Sequence, residues 1–140
     1  MMRRFILACA GLLGAALGAN GAYMLLAPAN WYLAMPGVTS TGPFNQHFVR
    51  DIGLIFVLIG LALCVGVVRR SERVVLWGAA GLWLTGHALF HIWEVAAGVC
   101  GSDALTRDFL AVTLPALITL SLATWAWRDV TSAHVSSSHH

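Results

Sequence analysis

The chain alternates between long apolar stretches and short polar segments. Four apolar stretches of 17–24 residues contain no Asp, Glu, Lys or Arg: 5–28, 52–68, 74–93 and 109–127. A helix of this length crosses a hydrocarbon layer of about 30 Å, and helices satisfy their own backbone hydrogen bonds in lipid. The pattern predicts an all-α integral membrane fold, a single four-transmembrane-helix bundle over 1–130 with a disordered Ser/His-rich tail at 131–140.

The composition supports a membrane protein and excludes other classes. Apolar residues make up 59% of the 140 residues and charged residues only 10%, whereas a soluble domain carries about 25% charged residues. Disorder of the whole chain is excluded because it requires low hydrophobicity and high charge. A net charge of +2 provides no basic surface for nucleic acid. The apolar composition instead predicts that the protein is surrounded by membrane lipid.

The arginines predict the orientation of the bundle. All eight basic residues are arginine, and six of them fall on one side of the predicted membrane: Arg3, Arg4, Arg69, Arg70, Arg73 and Arg128. Only Arg50 and Arg107 fall on the other side. Because cytoplasmic loops carry the excess of basic residues, we expect cytoplasmic termini in a bacterial inner membrane. The loops at 29–49 and 98–108 would then face outward.

Small residues in the first span predict close helix packing. Gly14 and Gly18 lie four residues apart and share one helix face, and such faces let helix backbones approach closely in lipid. One interpretation is packing within the bundle, and the other is a homo-oligomer formed through this span.

The third span carries polar residues near its predicted outer end. His87, His91 and Glu94 are spaced i, i+4 and i+7, so they share one helix face. Polar residues inside a membrane are costly and usually face the bundle interior. This face therefore predicts a polar site.

The second span begins with a matching polar set. Pro43 suits a first helical position, and His47 and Asp51 then follow as i, i+4 neighbours, with Asn45 and Arg50 beside them. The second and third spans are antiparallel and joined by a short turn. We therefore expect the start of one to lie beside the end of the other.

Imidazoles and carboxylates that converge in this way suit zinc, copper or iron. The predicted metal ligands are His47, Asp51, His87 and His91. Glu94, Arg50 and Asn45 would surround them, with Glu94 also a candidate proton acceptor. A hydrogen-bonded polar plug without metal is the alternative. Haem is disfavoured, because His87 and His91, one turn apart, cannot ligate opposite faces of one haem.

A family resemblance agrees with this architecture. Four spans, a loop containing Trp31-Tyr32, and the Arg50-Asp51-Ile52-Gly53 stretch resemble small bacterial membrane proteins of the DoxX-like kind. The resemblance implies a four-helix bundle and membership in a membrane redox assembly. It implies no catalytic residue.

The sequence thus predicts a small inner-membrane subunit or accessory protein of a larger membrane complex, with an outward-facing His/Asp/Glu site that binds a transition metal. One alternative is a metal-dependent membrane enzyme, an oxidoreductase or a hydrolase. Another is a proton- or ion-relay component of a transporter, because buried ionisable residues in membranes mark such pathways.

Overall fold

The computed structural model describes the backbone of residues 1–137 and the side chains of residues 1–132, and no strand occurs in this part of the chain. The helices are α1 (Met2–Leu26), α2 (Pro28–Ala34), α3 (Gln46–Val68), α4 (Arg73–Ala96), α5 (Asp103–Asp108) and α6 (Leu114–Ser137). A 3-10 turn occupies Val38–Ser40, and a π-helical turn at Phe109–Thr113 joins α5 to α6.

Four helical stretches are long and apolar enough to cross a membrane: Met2–Leu26, Gln46–Val68, Arg73–Ala96 and the continuous helix Asp103–Ser132. Their outer faces expose large apolar side chains, such as Leu12, Leu58, Leu82 and Leu110, as expected for contact with lipid. The prediction of an all-helical fold with four helices long and apolar enough to cross a membrane is confirmed for the described residues, and these helices are typical of a multi-pass membrane protein.

The helix bounds differ from the predicted spans at several ends. α3 begins at Gln46 rather than near Pro43, because the side chain of Asn45 accepts a hydrogen bond from the Phe48 N–H (3.1 Å) and caps the helix there. The predicted loop at 29–49 contains α2 and the 3-10 turn. Residues 131–137 of the predicted tail continue α6, since neither glycine nor proline interrupts them, and 138–140 lie outside the described residues.

Glycines bring α1 and α3 into close contact. A Cβ on Gly14 would lie 2.9 Å from the Gly60 carbonyl oxygen, and one on Gly21 would lie 2.5 Å from the Gly53 carbonyl oxygen. A Cβ on Gly18 would fit, because it would lie 3.9 Å from the Gly60 Cα. The small-residue face of α1 is therefore occupied within the chain, and a homo-oligomer stays a prediction that needs another surface.

The four long helices pack unequally. α1 contacts α3 most extensively, α4 packs against α6, α3 and α4 contact each other less, and α1 barely contacts α6. The buried side chains of α4 and α6 include Trp77, Leu84 and Thr119. The bundle is therefore open along one side, between α1 and α6.

The two ends of the bundle differ in chemistry. One end of the bundle contains the first residues of α1 and α4 and the last residues of α3 and α6. We call it the arginine-rich end, after the six arginines that the sequence places there. The start of α3, the end of α4 and α5 lie at the opposite level, which we call the histidine end.

The π-helical turn changes the register of the last span. The Leu114 N–H donates to the Phe109 carbonyl, a step of five residues, and Pro115 follows directly. Pro115 has no N–H to offer to the preceding turn, and an inserted π turn is a common cause of a change in helix direction. The turn sets how α5 faces α4.

Candidate functional site

Polar side chains at the histidine end form two separate groups. One is the histidine–aspartate chain, which consists of His87 and His91 on α4 and Asp108 on α5. The other is the exposed pair of His47 and Asp51 on α3.

A hydrogen bond between α4 and α5 holds the histidine–aspartate chain together. His91 Nδ1 lies 3.1 Å from Asp108 Oδ2, with only 27% and 16% of the two side chains exposed. An ionised carboxylate can only accept a hydrogen bond, so Nδ1 carries the proton in that state. This arrangement leaves His91 Nε2 free for another partner.

Arg107 holds the carboxylate from the other side. Its Nε donates to Asp108 Oδ1 at 2.8 Å, and its Nη2 donates to Asp108 Oδ2 at 3.3 Å. Asp103 lies farther away, with Oδ2 3.9 Å from Arg107 Nη1, and its side chain is mostly exposed. Both carboxylate oxygens of Asp108 are therefore engaged, and the position of the group is fixed.

His87 lies one helical turn deeper than His91. The two imidazole centroids are 4.8 Å apart, in an edge-to-face arrangement. The His87 ring stacks on Trp83 at 5.0 Å and meets Phe56 of α3 edge-on at 6.2 Å. The inner end of the chain is thus enclosed by aromatic side chains.

The predicted partners on α3 do not join this chain. His47 Nε2 lies 3.2 Å from Asp51 Oδ2, and 88% and 59% of these side chains are exposed. The buried face of α3 carries Val49 and Gly53. His47 and Asp51 are each two residues from Val49, about 200° around the helix, so they face outward.

The predicted four-ligand metal site is not formed. In residues 1–132 no three His, Cys, Asp or Glu side chains are grouped so that they could hold a metal ion. His87 and His91 are adjacent as predicted, but Asp108 takes the place expected for Asp51.

The predicted surrounding residues have other contacts. Asn45 caps α3, as described above. Arg50 Nε donates to the Leu25 carbonyl oxygen at 3.2 Å, so this side chain closes the end of α1 rather than surrounding a metal site. Glu94 is half-buried at the end of α4.

Asp108 is the site residue that sequence reasoning missed. It lies on the inward stripe of the last span, with Val112, Pro115 and Thr119 at i+4, i+7 and i+11. That periodicity was available in the sequence and could have identified Asp108 as facing the bundle.

No family model, curated protein or solved structure is significantly similar to this chain. The DoxX-like resemblance therefore stays a prediction.

Proposed function

We propose that this protein is a small subunit or accessory of a bacterial inner-membrane assembly, with the histidine end facing outward. In this proposal, His87, His91 and Asp108 relay protons between the outer surface and the membrane interior. The observation that carries the proposal is the hydrogen bond between His91 Nδ1 and Asp108 Oδ2, at 3.1 Å. The centroid of the His87 ring lies 4.8 Å from that of His91, on the side toward the membrane interior.

The residue types suit proton transfer. Histidine changes its charge near neutral pH and has two ring nitrogens, so it can accept a proton on one side and release one on the other. At 1.5 Å per residue, His91 lies about 8 Å and His87 about 14 Å below the end of α4. Ionisable side chains at such depths usually serve an ion or proton pathway.

The inner end of the relay supports a role within an assembly. Beyond His87 lie the rings of Trp83 and Phe56, which do not accept protons. Among the described residues, none of the side-chain hydrogen bonds involves His87. A proton on His87 therefore needs an acceptor from a partner subunit or a bound small molecule.

Transition-metal binding is the second candidate. Histidines that bind metals commonly donate their other ring N–H to a carboxylate, and the bond between His91 and Asp108 has this form. His91 Nε2 and His87 would supply two ligands for copper, zinc or iron, and water or a partner would supply the others.

Elemental analysis tests the metal alternative. The protein would be purified without a nickel column, as wild type and as His87→Ala and His47→Ala. Stoichiometric metal that is lost only in His87→Ala would favour this candidate over the relay. A metal-dependent membrane enzyme would need the same metal, so the analysis tests that alternative as well.

The relay is tested by exchange of the His87 ring N–H with deuterated water. The measurement uses nuclear magnetic resonance of protein labelled with nitrogen-15 histidine in lipid nanodiscs. We expect His91→Phe to slow the exchange about tenfold or more, because it removes the group that passes the proton. His47→Gln is the matched control and should leave the rate unchanged. Equal exchange in wild type and His91→Phe would refute the relay.

A further inference from the structure

The open side of the bundle forms a continuous groove at the arginine-rich end. One depression, of about 350 Å³, lies between Phe5, Ile6 and Cys9 of α1 and the facing side of α6. A second, of about 440 Å³, continues along α6 to Arg128. The two depressions share Leu117, Ser121 and Trp125, so we call them together the α1–α6 groove.

The body of this groove is apolar. The Ser121 hydroxyl donates to the Leu117 carbonyl and the Thr124 hydroxyl donates to the Leu120 carbonyl, both at 2.8 Å. These hydroxyl protons are satisfied by the helix itself. The remaining walls are aliphatic or aromatic, apart from the half-buried Cys9 thiol.

The mouth of the groove is basic. Arg128 lines it and is exposed. The neighbouring carboxylate of Asp129 is bound by Arg70 instead, with Nη2 3.1 Å from Oδ2. Arg4 directly precedes Phe5 at the other wall. An anionic group at this mouth would meet arginine rather than an acidic side chain.

We propose that the α1–α6 groove binds one acidic phospholipid of the adjacent leaflet. Its phosphate would pair with Arg128, and one acyl chain would lie along Leu117, Ser121 and Trp125. Arg128 and Leu117 are eleven residues apart, which corresponds to about 16 Å along the helix. That length is close to half of a hydrocarbon layer of about 30 Å, so the groove matches a chain from one leaflet.

Charge favours a lipid over a second copy of this protein. The arginine-rich end carries six arginines against two nearby carboxylates, Glu72 and Asp129. A second copy aligned along this groove would bring the same excess of positive charge. Basic pockets between membrane helices bind acidic headgroups, and arginine matches the geometry of a phosphate.

The test is native mass spectrometry of protein released from vesicles of phosphatidylglycerol and phosphatidylcholine in equal amounts. Wild type should retain phosphatidylglycerol preferentially. Arg128→Gln should weaken this retention about tenfold, because a charge-assisted bond to the phosphate is lost. Arg69→Gln removes the same charge from the same end without touching the groove, and should change retention less than about twofold.

Ser121→Phe keeps the charge and fills the groove, so it should also reduce retention. Equal losses of phosphatidylglycerol retention in Arg128→Gln and Arg69→Gln would show only a diffuse effect of charge, and would overturn the assignment of the phosphate to Arg128. Equal retention of both lipids by wild type would overturn the headgroup assignment. Efficient Cys9 to Cys9 cross-linking in the vesicles would show that a second copy occupies the groove, and would overturn the lipid proposal.

Discussion

The Arg73 side chain donates from Nε to the carbonyl oxygen of Gly66 at 2.6 Å, across the turn that joins α3 to α4. Its Nη2 donates to the next carbonyl, of Val67, at 3.1 Å. The guanidinium carbon also lies 5.2 Å from the Trp77 ring and 5.7 Å from the Trp125 ring. One buried arginine thus closes the end of α3 and ties it to α4 and α6.

Replacement of Arg73 should be strongly destabilising. Arg73→Met removes two hydrogen bonds to carbonyls at the end of α3, which helices otherwise leave unpaired, and it also removes the contact with both indole rings. We expect a loss of about 3 kcal/mol in the free energy of unfolding. Thermal unfolding in detergent, followed by circular dichroism, measures this loss. Arg69→Met, at an exposed position, is the control, and equal stability of the two variants would contradict the assigned role.

Glycines of α1 should respond differently to the same substitution. Gly21→Ala places a methyl group 2.5 Å from the Gly53 carbonyl oxygen and 2.7 Å from the Val57 nitrogen, so α1 and α3 must separate. We expect a loss of about 1–3 kcal/mol in the free energy of unfolding. Gly18→Ala meets its nearest atom at 3.9 Å and should be neutral or slightly stabilising, because alanine favours the helix. Thermal unfolding of both variants measures the two effects. A larger loss of stability in Gly18→Ala than in Gly21→Ala would refute the described packing of α1 against α3.

Gly37 should control the position of Arg107. Its φ of +83° lies in the left-handed region, and a Cβ there would collide with the Arg107 guanidinium. Gly37→Ala should therefore displace Arg107 from Asp108 and destabilise the fold by about 1–3 kcal/mol. Gly98→Ala is the control, because Gly98 shares a positive φ of +74° but its Cβ would meet no atom within 4 Å. Thermal unfolding measures the loss of stability, and the nuclear magnetic resonance signal of Arg107 Nε reports its displacement from Asp108. An unchanged Arg107 Nε signal in Gly37→Ala would contradict the contact between Gly37 and Arg107.

The distribution of arginine predicts the orientation in the membrane. Six arginines belong to the arginine-rich end and only Arg50 and Arg107 to the histidine end, so the former should face the cytoplasm. A reporter that works only in the cytoplasm should be active when fused to the C-terminus. Activity of a reporter that works only outside the cytoplasm, at the same position, would reverse the orientation and turn the histidine end inward.

The sequence predicted the helices well because their signal is local. Each long apolar stretch became a helix, and the small-residue pattern at Gly14 correctly indicated a close helix contact. The site was predicted only in part, because it depends on how neighbouring helices are rotated. The i, i+4 spacing placed His87 beside His91, whereas the buried face of α3 turned His47 and Asp51 outward. Asp108 follows the inward periodicity of the last span, but that periodicity alone does not specify that Asp108 meets His91 of α4.

The proton relay can be followed directly through Trp83, whose ring stacks on His87 at 5.0 Å. A protonated imidazole quenches an indole in contact with it, so Trp83 fluorescence reports the arrival of a proton at His87. The signal is the difference between wild type and Trp83→Phe. It is recorded in vesicles with the histidine end outside, after a rapid shift of the outer solution from about pH 8 to about pH 4, because burial opposes protonation of His87. Rapid quenching in wild type and His47→Gln, with markedly slower quenching in Asp108→Asn and His91→Phe, is the predicted result. Quenching at the same rate in all four proteins would contradict the relay.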